Sequence, residues 1–152
     1  LSRQTMMSCI EYSLTDTKQE YALFFIDLDG FKAVNDEMGH HAGDRLLAAV
    51  AAALRGAVRA EDAVGRFGGD EFLVLARGCG RAQAQALAEQ LRRTVQATAT
   101  AAGVNVSASI GFAIAPTDTR DPVALLQYAD AAKYSGKNRV MPLGKPGTDA
   151  PG

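Results

Sequence analysis

The stretch "RFGGDEF" (Arg66–Phe72) places two glycines and two acids between short apolar runs. The flanking segments "DAVGRF" and "EFLVLA" have the apolar content of strands, so the sequence predicts a hairpin that turns at Gly68 and Gly69. Glycine suits a tight turn because it adopts positive φ without steric cost and lets a ligand approach the backbone. The pattern permits two interpretations: an ordinary polar turn, or a turn whose acids Asp70 and Glu71 hold a ligand.

A second pair of acids follows another predicted strand. "YALFFI" (Tyr21–Ile26) is typical of a buried strand, and Asp27 and Asp29 come directly after it on the same side of the chain. Acids at strand ends are most often solvated surface residues. If this strand neighbours the hairpin, however, the two acid pairs converge. Carboxylate oxygens are the ligands that Mg²⁺ prefers beside substrate phosphates, so a metal site for phosphoryl transfer is the alternative.

The rest of the chain alternates predicted helices with predicted strands. Because one neighbouring pair of strands forms a hairpin, the order predicts an α+β fold with helices packed on a mixed sheet. Asp121 is the predicted N-cap of the last helix, with Pro122 in its first turn. The predicted helices cover residues 6–19, 31–39, 44–58, 81–97 and 121–136, and the further strands cover 104–115 and 138–143.

Size and composition favour one ordinary domain. The chain has 152 residues, 47% of them hydrophobic, with a formal net charge of -1. That charge gives no electrostatic case for binding a nucleic-acid polymer or an acidic membrane. The cysteines, Cys9 and Cys79, form no disulfide or metal pattern, so a reduced, cytoplasmic chain is the default expectation.

The ends of the chain carry three expectations. The domain is expected to span residues 1–143, and the Pro/Gly-rich tail 144–152 is expected to be disordered. No apolar run has membrane-span length, so no direct membrane contact is expected. Because the first residue is Leu1, the chain is expected to lack the true start of its protein, and the full-length protein could be tethered to a membrane through other parts.

Several motifs together resemble one known family. "GGDEF" (Gly68–Phe72) is that family's name-giving signature, and average residue usage gives these five letters in a chain this long about once in ten thousand. The chain resembles the GGDEF family, the diguanylate cyclases. Further matching blocks occur in the family's order over roughly residues 1–141: "FFIDLDGFKAVND", "GHHAGDRLL", "SASIGFA" and "YADAAKYSGKNRV".

The resemblance implies a fold and a metal site. The fold is a palm-like domain with a mostly antiparallel central sheet flanked by helices, related to nucleotidyl cyclases and polymerase palms. Asp27, the Leu28 carbonyl and Asp70 match the ligands of Mg²⁺ (or Mn²⁺). Glu71 matches the acid that binds metal or activates the 3′-hydroxyl.

The resemblance also implies a GTP site. Asn35 and Asp44 match the pair that reads guanine, and an amide with a carboxylate can meet both the acceptor and the donor edge of that base. Taken alone, Asn35 is more typical of a helix-end turn, Asp44 of an N-cap, and the lysines of solvated surface, and the shared frame with the signature reverses that preference for Asn35 and Asp44. The remaining residues matched to the phosphate end are Lys32, Lys133, Lys137, Gly68 and Gly69.

An upstream motif, "RAED" (Arg59–Asp62), fits an RxxD pattern that lies five residues before the signature. The resemblance implies that this is the inhibitory site for the product, cyclic di-GMP. Arg59 would grip phosphate or guanine with its forked guanidinium, and Asp62 would accept from a guanine nitrogen. The alternative is an ordinary ion pair at i,i+3.

Two segments depart from the family pattern. The DxLTG-like segment that usually opens the family is absent, and only Ala131 separates the closing "AD" from "AK". The family usually has about five residues there, so about one helical turn is lost and Lys133 is expected to be displaced.

Two functions follow from the resemblance. The first is a homodimeric diguanylate cyclase that condenses two GTP into cyclic di-GMP and two pyrophosphates, with product feedback. The second is a domain without turnover that senses GTP or cyclic di-GMP, and the resemblance allows this domain to be fused to a phosphodiesterase domain. The intact signature favours the first function, and the short closing helix favours the second.

Overall fold

The computed structural model describes residues 1–133 and shows helices packed on both faces of one sheet. The elements in chain order are α1 (Arg3–Ser13), β1 (Tyr21–Asp29), α2 (Phe31–Met38), α3 (His40–Ala57), β2 (Ala63–Arg66), β3 (Glu71–Arg77), α4 (Arg81–Ala102), β4 (Ser107–Ala115) and α5 (Pro122–Ala132). The predicted strand 138–143 lies outside the described residues.

The sheet has the strand order β2-β3-β1-β4, and all three pairings of these strands are antiparallel. The predicted α+β fold with a mostly antiparallel, helix-flanked sheet is therefore confirmed. β1 lies at the centre and pairs directly with the hairpin strand β3, and Asp27 stands opposite Glu71 in that register. The condition on which convergence of the two acid pairs depended is thus met.

Apolar clusters cover both faces of the sheet. Alternate residues of β1 contribute to each cluster, with Phe24 and Ile26 on one face and Leu23 and Phe25 on the other. The first cluster packs beneath α2, α3 and α4, and the second beneath α1 and α5. A fully buried Leu or Phe contributes about 1.5–3 kcal/mol, so this double burial explains why β1 has a continuous apolar sequence.

The helix ends follow local signals that the sequence showed only in part. Asp121 caps α5, as predicted, and its Oδ2 accepts from Ala124 N at 2.8 Å. α2 ends before Gly39, which adopts φ +89° and leads directly into α3. The predicted start of α3 at Asp44 is wrong for that reason: the helix begins at His40, and Asp44 lies in its second turn.

Candidate active site

The loop between β2 and β3 is longer than the predicted two-residue turn. Phe67 to Asp70 separate the strands, and Glu71 O accepts from Phe67 N at 2.8 Å and from Gly68 N at 3.4 Å. Arg66 closes the loop from outside, since its Nε donates to Gly68 O at 3.1 Å and its Nη2 donates to Gly69 O at 2.9 Å. One side chain of β2 therefore fixes the backbone of the signature.

The predicted positive φ at the two signature glycines is wrong. Among the described residues, positive φ occurs at other glycines and at neither Gly68 nor Gly69, because a loop of this length closes without it. Gly68 lies close to the Glu71 side chain: a Cβ there would overlap the carboxylate and displace it. The first signature glycine thus makes room for an acid of the same signature.

The four residues matched to a metal site lie together at one end of the central strands. Asp27 and Glu71 are direct cross-strand partners, which places their Cβ atoms about 5 Å apart. Leu28 N donates to Asp70 O at 3.0 Å, so the backbone ladder continues into the hairpin loop. The structure therefore brings both acid pairs together at this end of β1 and β3, as the predicted convergence required. This end of the two strands, with Asp27, Asp70 and Glu71, is the acidic edge of the sheet.

Asp27 has two unlike oxygens. Its Oδ2 accepts from Lys133 Nζ at 2.5 Å, whereas its Oδ1 is buried and has no hydrogen-bond partner. The Lys133 side chain is only 1% exposed, also contacts Asp130 Oδ1 at 2.8 Å, and lies 4.0 Å from the centre of the Phe25 ring. Lys133 therefore lies on the first-strand carboxylate, and its displacement relative to the family pattern stays a prediction.

The surroundings of Glu71 and Lys133 raise the pKa values of both groups. Burial raises the pKa of Glu71, the neighbouring Asp27 raises it further, and Lys133 opposes the rise. Burial lowers the pKa of Lys133, but hydrogen bonds to Asp130 and Asp27 outweigh it, and the net pKa is raised. Glu71 is therefore suited to accept a proton, while Lys133 stays a cation.

The donor set fits a hard cation in composition. Within residues 1–133, no three His, Cys, Asp or Glu side chains are already arranged as a metal cluster. A buried carboxylate oxygen without a partner is costly, however, and Asp27 Oδ1 is such an atom beside a second carboxylate. Carboxylate and carbonyl oxygens are the ligands that Mg²⁺ takes, with the remaining positions left to water and phosphate.

The residues matched to guanine recognition lie on α2 and α3 beside a cavity. Asn35 packs over Gly43, where a Cβ would overlap its carboxamide oxygen. Asp44 is exposed and lines a cavity of about 560 Å³ whose wall includes Leu47, Arg66 and Phe72. Arg66 and Phe72 flank the hairpin loop, so the cavity extends from Asp44 to the strands that carry this loop.

The lysines matched to the phosphate end of the GTP site differ in their surroundings. Lys32 is exposed on α2, and Lys133 is buried against Asp27. Lys137 lies outside the described residues.

The "RAED" turn is closed by its own residues. Asp62, 5% exposed, accepts from Arg59 N and Arg77 N at 3.0 Å each, and from Arg59 Nε and Nη2 at 3.4 Å each. Arg59 Nη2 also donates to Arg77 O, and its side chain remains 55% exposed. The ion pair that formed the alternative interpretation is therefore present, and it is anchored to β3.

Three polar residues matter here that the sequence patterns did not single out. Arg66 holds the hairpin loop, Asp130 shares Lys133 with Asp27, and Arg55 Nη1 donates to Asp62 O at 2.7 Å. Arg55 also donates to Arg59 O. Arg66 lies in "RFGGDEF" and Asp130 in "YADAAKYSGKNRV", so their place in family motifs could have marked them as candidates. No sequence signal marked Arg55.

Comparison with known proteins identifies the family. The family model described as "Diguanylate cyclase, GGDEF domain" matches residues 2–141. The chain belongs to the GGDEF family. This GGDEF domain is 43% identical over 132 residues to the bifunctional diguanylate cyclase/cyclic di-GMP phosphodiesterase MucR of Pseudomonas aeruginosa, covering 86% of this chain and 19% of MucR.

Solved GGDEF domains share the fold. The crystal structure of the GGDEF domain of TpbB from Pseudomonas aeruginosa has a TM-score of 0.77 and 34% identity, with 88% of each chain covered. A microbial GGDEF domain whose structure describes its interaction with cyclic di-GMP has a TM-score of 0.76 and 30% identity, covering 88% of this chain and 83% of that one. The palm-like fold is therefore shown.

The chain spans only part of the length of the curated relatives that it matches. The chain spans 19% of MucR and 29% of the diguanylate cyclase TpbB, to which it is 40% identical over 127 residues and 81% of its own length. Within residues 1–133, no helix combines the length and the apolar character needed to cross a membrane.

Proposed function

We propose that this domain is a diguanylate cyclase that condenses two GTP into cyclic di-GMP and two pyrophosphates as a homodimer. One observation carries the proposal: Asp27, with a buried and unpartnered oxygen, stands opposite Glu71 at the tip of an intact signature hairpin. Each protomer would hold one GTP, so a single domain cannot complete the ring. Because GTP is a cytoplasmic nucleotide, the cytoplasm is the proposed location.

The proposed GTP site extends from the cavity to the hairpin. Asn35 and Asp44 would bind the guanine edge, and the apolar wall at Leu47 and Phe72 would contact the base. Lys32, which is exposed on α2, would approach the triphosphate as a mobile cation. Further residues proposed for the phosphate end are Gly68, Gly69, Lys133 and Lys137.

The proposed chemistry is two in-line displacements. In each, a ribose 3′-oxygen forms a bond to an α-phosphorus, the bond from that phosphorus to pyrophosphate breaks, and the 3′-hydroxyl proton passes to Glu71 or to water. The raised pKa of Glu71 suits it to take that proton. Asp27, Asp70, Glu71 and the Leu28 carbonyl would hold Mg²⁺ (or Mn²⁺), which when bound supplies Lewis-acid polarisation of the α-phosphate.

The proposal includes product feedback, in which cyclic di-GMP binds at the "RAED" turn and inhibits the enzyme. The exposed Arg59 fork is available for a phosphate or a guanine edge. Asp62 is less available, since both of its oxygens already accept from Arg59 and Arg77. We therefore expect Arg59→Ala to raise the cyclic di-GMP concentration needed for half-inhibition by about tenfold or more, with uninhibited turnover unchanged. Unchanged inhibition would mean that the Arg59–Asp62 ion pair has only a structural role.

The direct test is a product assay on the chain fused to a dimerising partner. With GTP and Mg²⁺, chromatography should detect one cyclic di-GMP for every two pyrophosphates. Glu11→Gln, which removes an exposed acid on α1, is the matched control and should retain the activity of the parent fusion. No product at high protein concentration, with GTP or cyclic di-GMP binding intact, would contradict the enzyme proposal.

One observation favours a second candidate, a sensing domain without turnover. Lys133 already neutralises Asp27, and the sequence resemblance implies a closing segment about one helical turn shorter than the family pattern. That arrangement would let the domain bind GTP or cyclic di-GMP and pass the signal to another domain. Binding by calorimetry without pyrophosphate release separates this candidate from the first.

A further inference from the structure

The carboxylate proposed to bind a metal already has a cation of the protein beside it. Lys133 Nζ donates to Asp27 Oδ2 at 2.5 Å and contacts Asp130 Oδ1 at 2.8 Å. Asp27 and Lys133 are 106 residues apart in the chain, so this pair is a tertiary contact between β1 and the end of α5. It is not a local helix pair of the kind that solvent makes negligible.

A buried ammonium requires compensation, and the structure supplies it from three directions. Two carboxylates accept from Lys133, and the Phe25 ring face lies 4.0 Å from its Nζ. The end of α5 is also pressed onto the sheet, because a Cβ at Gly111 of β4 would overlap Ala129 O and Lys133 N. The position of Lys133 is therefore fixed by packing as well as by charge.

Only one of the two Asp27 carboxylate oxygens has a hydrogen-bond partner. Lys133 uses Oδ2, whereas the buried Oδ1 has no hydrogen-bond partner and keeps its capacity as an acceptor. A divalent cation on this carboxylate would lie within a few ångströms of a fixed positive charge. At that separation the repulsion between a unit charge and a divalent cation is large on the scale of binding free energies, even at an effective dielectric constant of about 20.

We propose that Lys133 is a positioning residue that neutralises Asp27 and competes with a divalent cation for this carboxylate, and thereby sets the cation affinity of the site. The inference rests on the proposed function, because it takes Asp27 as a metal ligand. It also revises the role of Lys133, which acts on the metal end of the site and not only on phosphate. A polyphosphate offers Lys133 another anionic partner, so nucleotide and cation are expected to bind with positive coupling.

The test measures Mn²⁺ affinity without nucleotide, by electron paramagnetic resonance of free Mn²⁺ during a titration of the chain. Lys133→Gln removes the charge and keeps a hydrogen-bond donor, and we expect it to tighten Mn²⁺ binding by about tenfold or more. Lys18→Gln removes the same charge from an exposed lysine and should bind Mn²⁺ like the parent. Adding Asp27→Asn to Lys133→Gln should abolish the gain.

The outcomes separate the inference from the proposed function. If Lys133→Gln binds Mn²⁺ like the parent while Asp27→Asn weakens binding, the inference is overturned and the metal site stands. If Asp27→Asn changes nothing in either background, both are overturned.

A second measurement is made on the parent chain and covers the case in which Lys133→Gln fails to fold. Nitrogen-15 NMR of lysine ammonium groups, with Lys133 assigned through its loss in Lys133→Arg, should show slow exchange for Lys133 and fast exchange for Lys18 and Lys32, because among the lysines of residues 1–133 only Lys133 is buried. Saturating Mg²⁺ should shift that signal or speed its exchange with water. An unaltered signal at a Mg²⁺ concentration that saturates the Mn²⁺ site in competition would overturn the inference.

Discussion

Two aspartates near opposite ends of the hairpin strands, Asp62 buried and Asp27 half-buried, differ in the hydrogen bonds that their oxygens accept. Asp62, whose side chain is 3% exposed, receives hydrogen bonds on both oxygens from Arg59 and Arg77. Asp27, whose side chain is 19% exposed, has one oxygen on Lys133 and the other buried without a partner. Both acids lie in family motifs, yet only one retains capacity for a ligand.

The difference indicates what each acid does. A carboxylate with every acceptor satisfied by backbone and guanidinium groups stabilises the turn it closes. A carboxylate that keeps a buried acceptor unsatisfied lowers stability, and such costs are typical of functional sites. This difference supports the proposal that the acidic edge binds a ligand, whereas Asp62 stabilises the "RAED" turn and leaves the Arg59 guanidinium exposed.

The largest expected effect is on turnover at the acidic edge. Asp70→Ala should reduce cyclic di-GMP formation by about a thousandfold, because it removes a carboxylate proposed to hold the cation at the reacting phosphate. No hydrogen bond from another residue reaches the Asp70 side chain within residues 1–133, so the free energy of unfolding should change by less than about 0.5 kcal/mol. Chromatography of the product and urea unfolding measure the two quantities, and retained turnover would refute the assignment.

The opposite pattern is expected at the turn. Asp62→Ala removes an acceptor shared by four donors and leaves Arg59 N and Arg77 N unsatisfied, so it should lower the free energy of unfolding by about 2–4 kcal/mol. Urea unfolding with Glu61→Ala, an exposed neighbour, as the control would measure this loss. A change no larger than the control's would mean that Asp62 is held ready for a ligand.

Thiol labelling gives a smaller effect at the same turn. Cys79 is 5% exposed, and burial raises its pKa, with Asp62 adding to the rise and Arg59 opposing it. Cys9 is only half-buried. With a disulfide reagent at pH 8, Cys79 should react at least about tenfold more slowly than Cys9, since the thiolate is the reactive form. Equal rates would show that the turn opens readily.

The smallest expected effect is the pH dependence that Glu71 contributes. Burial and Asp27 raise its pKa above the ordinary 4.5, so the folded chain binds this proton more tightly than the unfolded chain does. Stability should therefore fall as pH rises from about 4.5 through the raised pKa, and Glu71→Gln should abolish that fall. Urea unfolding of both chains in chelator from pH 4 to 8 tests this, and a parent curve that rises relative to the variant's would give the wrong sign.

Much of the fold was predictable because its signals are local. The continuous apolar run of β1, the Asp121 cap and the hairpin strands all appeared where the sequence placed them. The start of α3 was wrong because Gly39 joins two helices without a polar cap. The turn was wrong because two adjacent glycines suggested positive φ, whereas neither adopts it and Gly68 instead lies against the Glu71 carboxylate.

The candidate site was predictable as a set of residues and not as a set of contacts. Motif order identified Asp27, Asp70 and Glu71, and antiparallel pairing of β1 with β3 then brings them together. The position of Lys133 depends on the end of α5, which packs on Gly111, and this is a tertiary contact. Nothing in the local sequence indicates that this lysine reaches Asp27.

The contrast between the two aspartates can be tested in one calorimetric comparison. The chain, Asp27→Asn and Asp62→Asn are each titrated with a GTP analogue that has a methylene group between the α- and β-phosphorus, in Mg²⁺, at a temperature where all three are folded. We expect Asp27→Asn to weaken binding by about tenfold or more and Asp62→Asn to bind like the parent. Equal binding by Asp27→Asn and the parent, or loss of binding in Asp62→Asn alone, would contradict the assignment of the acidic edge as the ligand site.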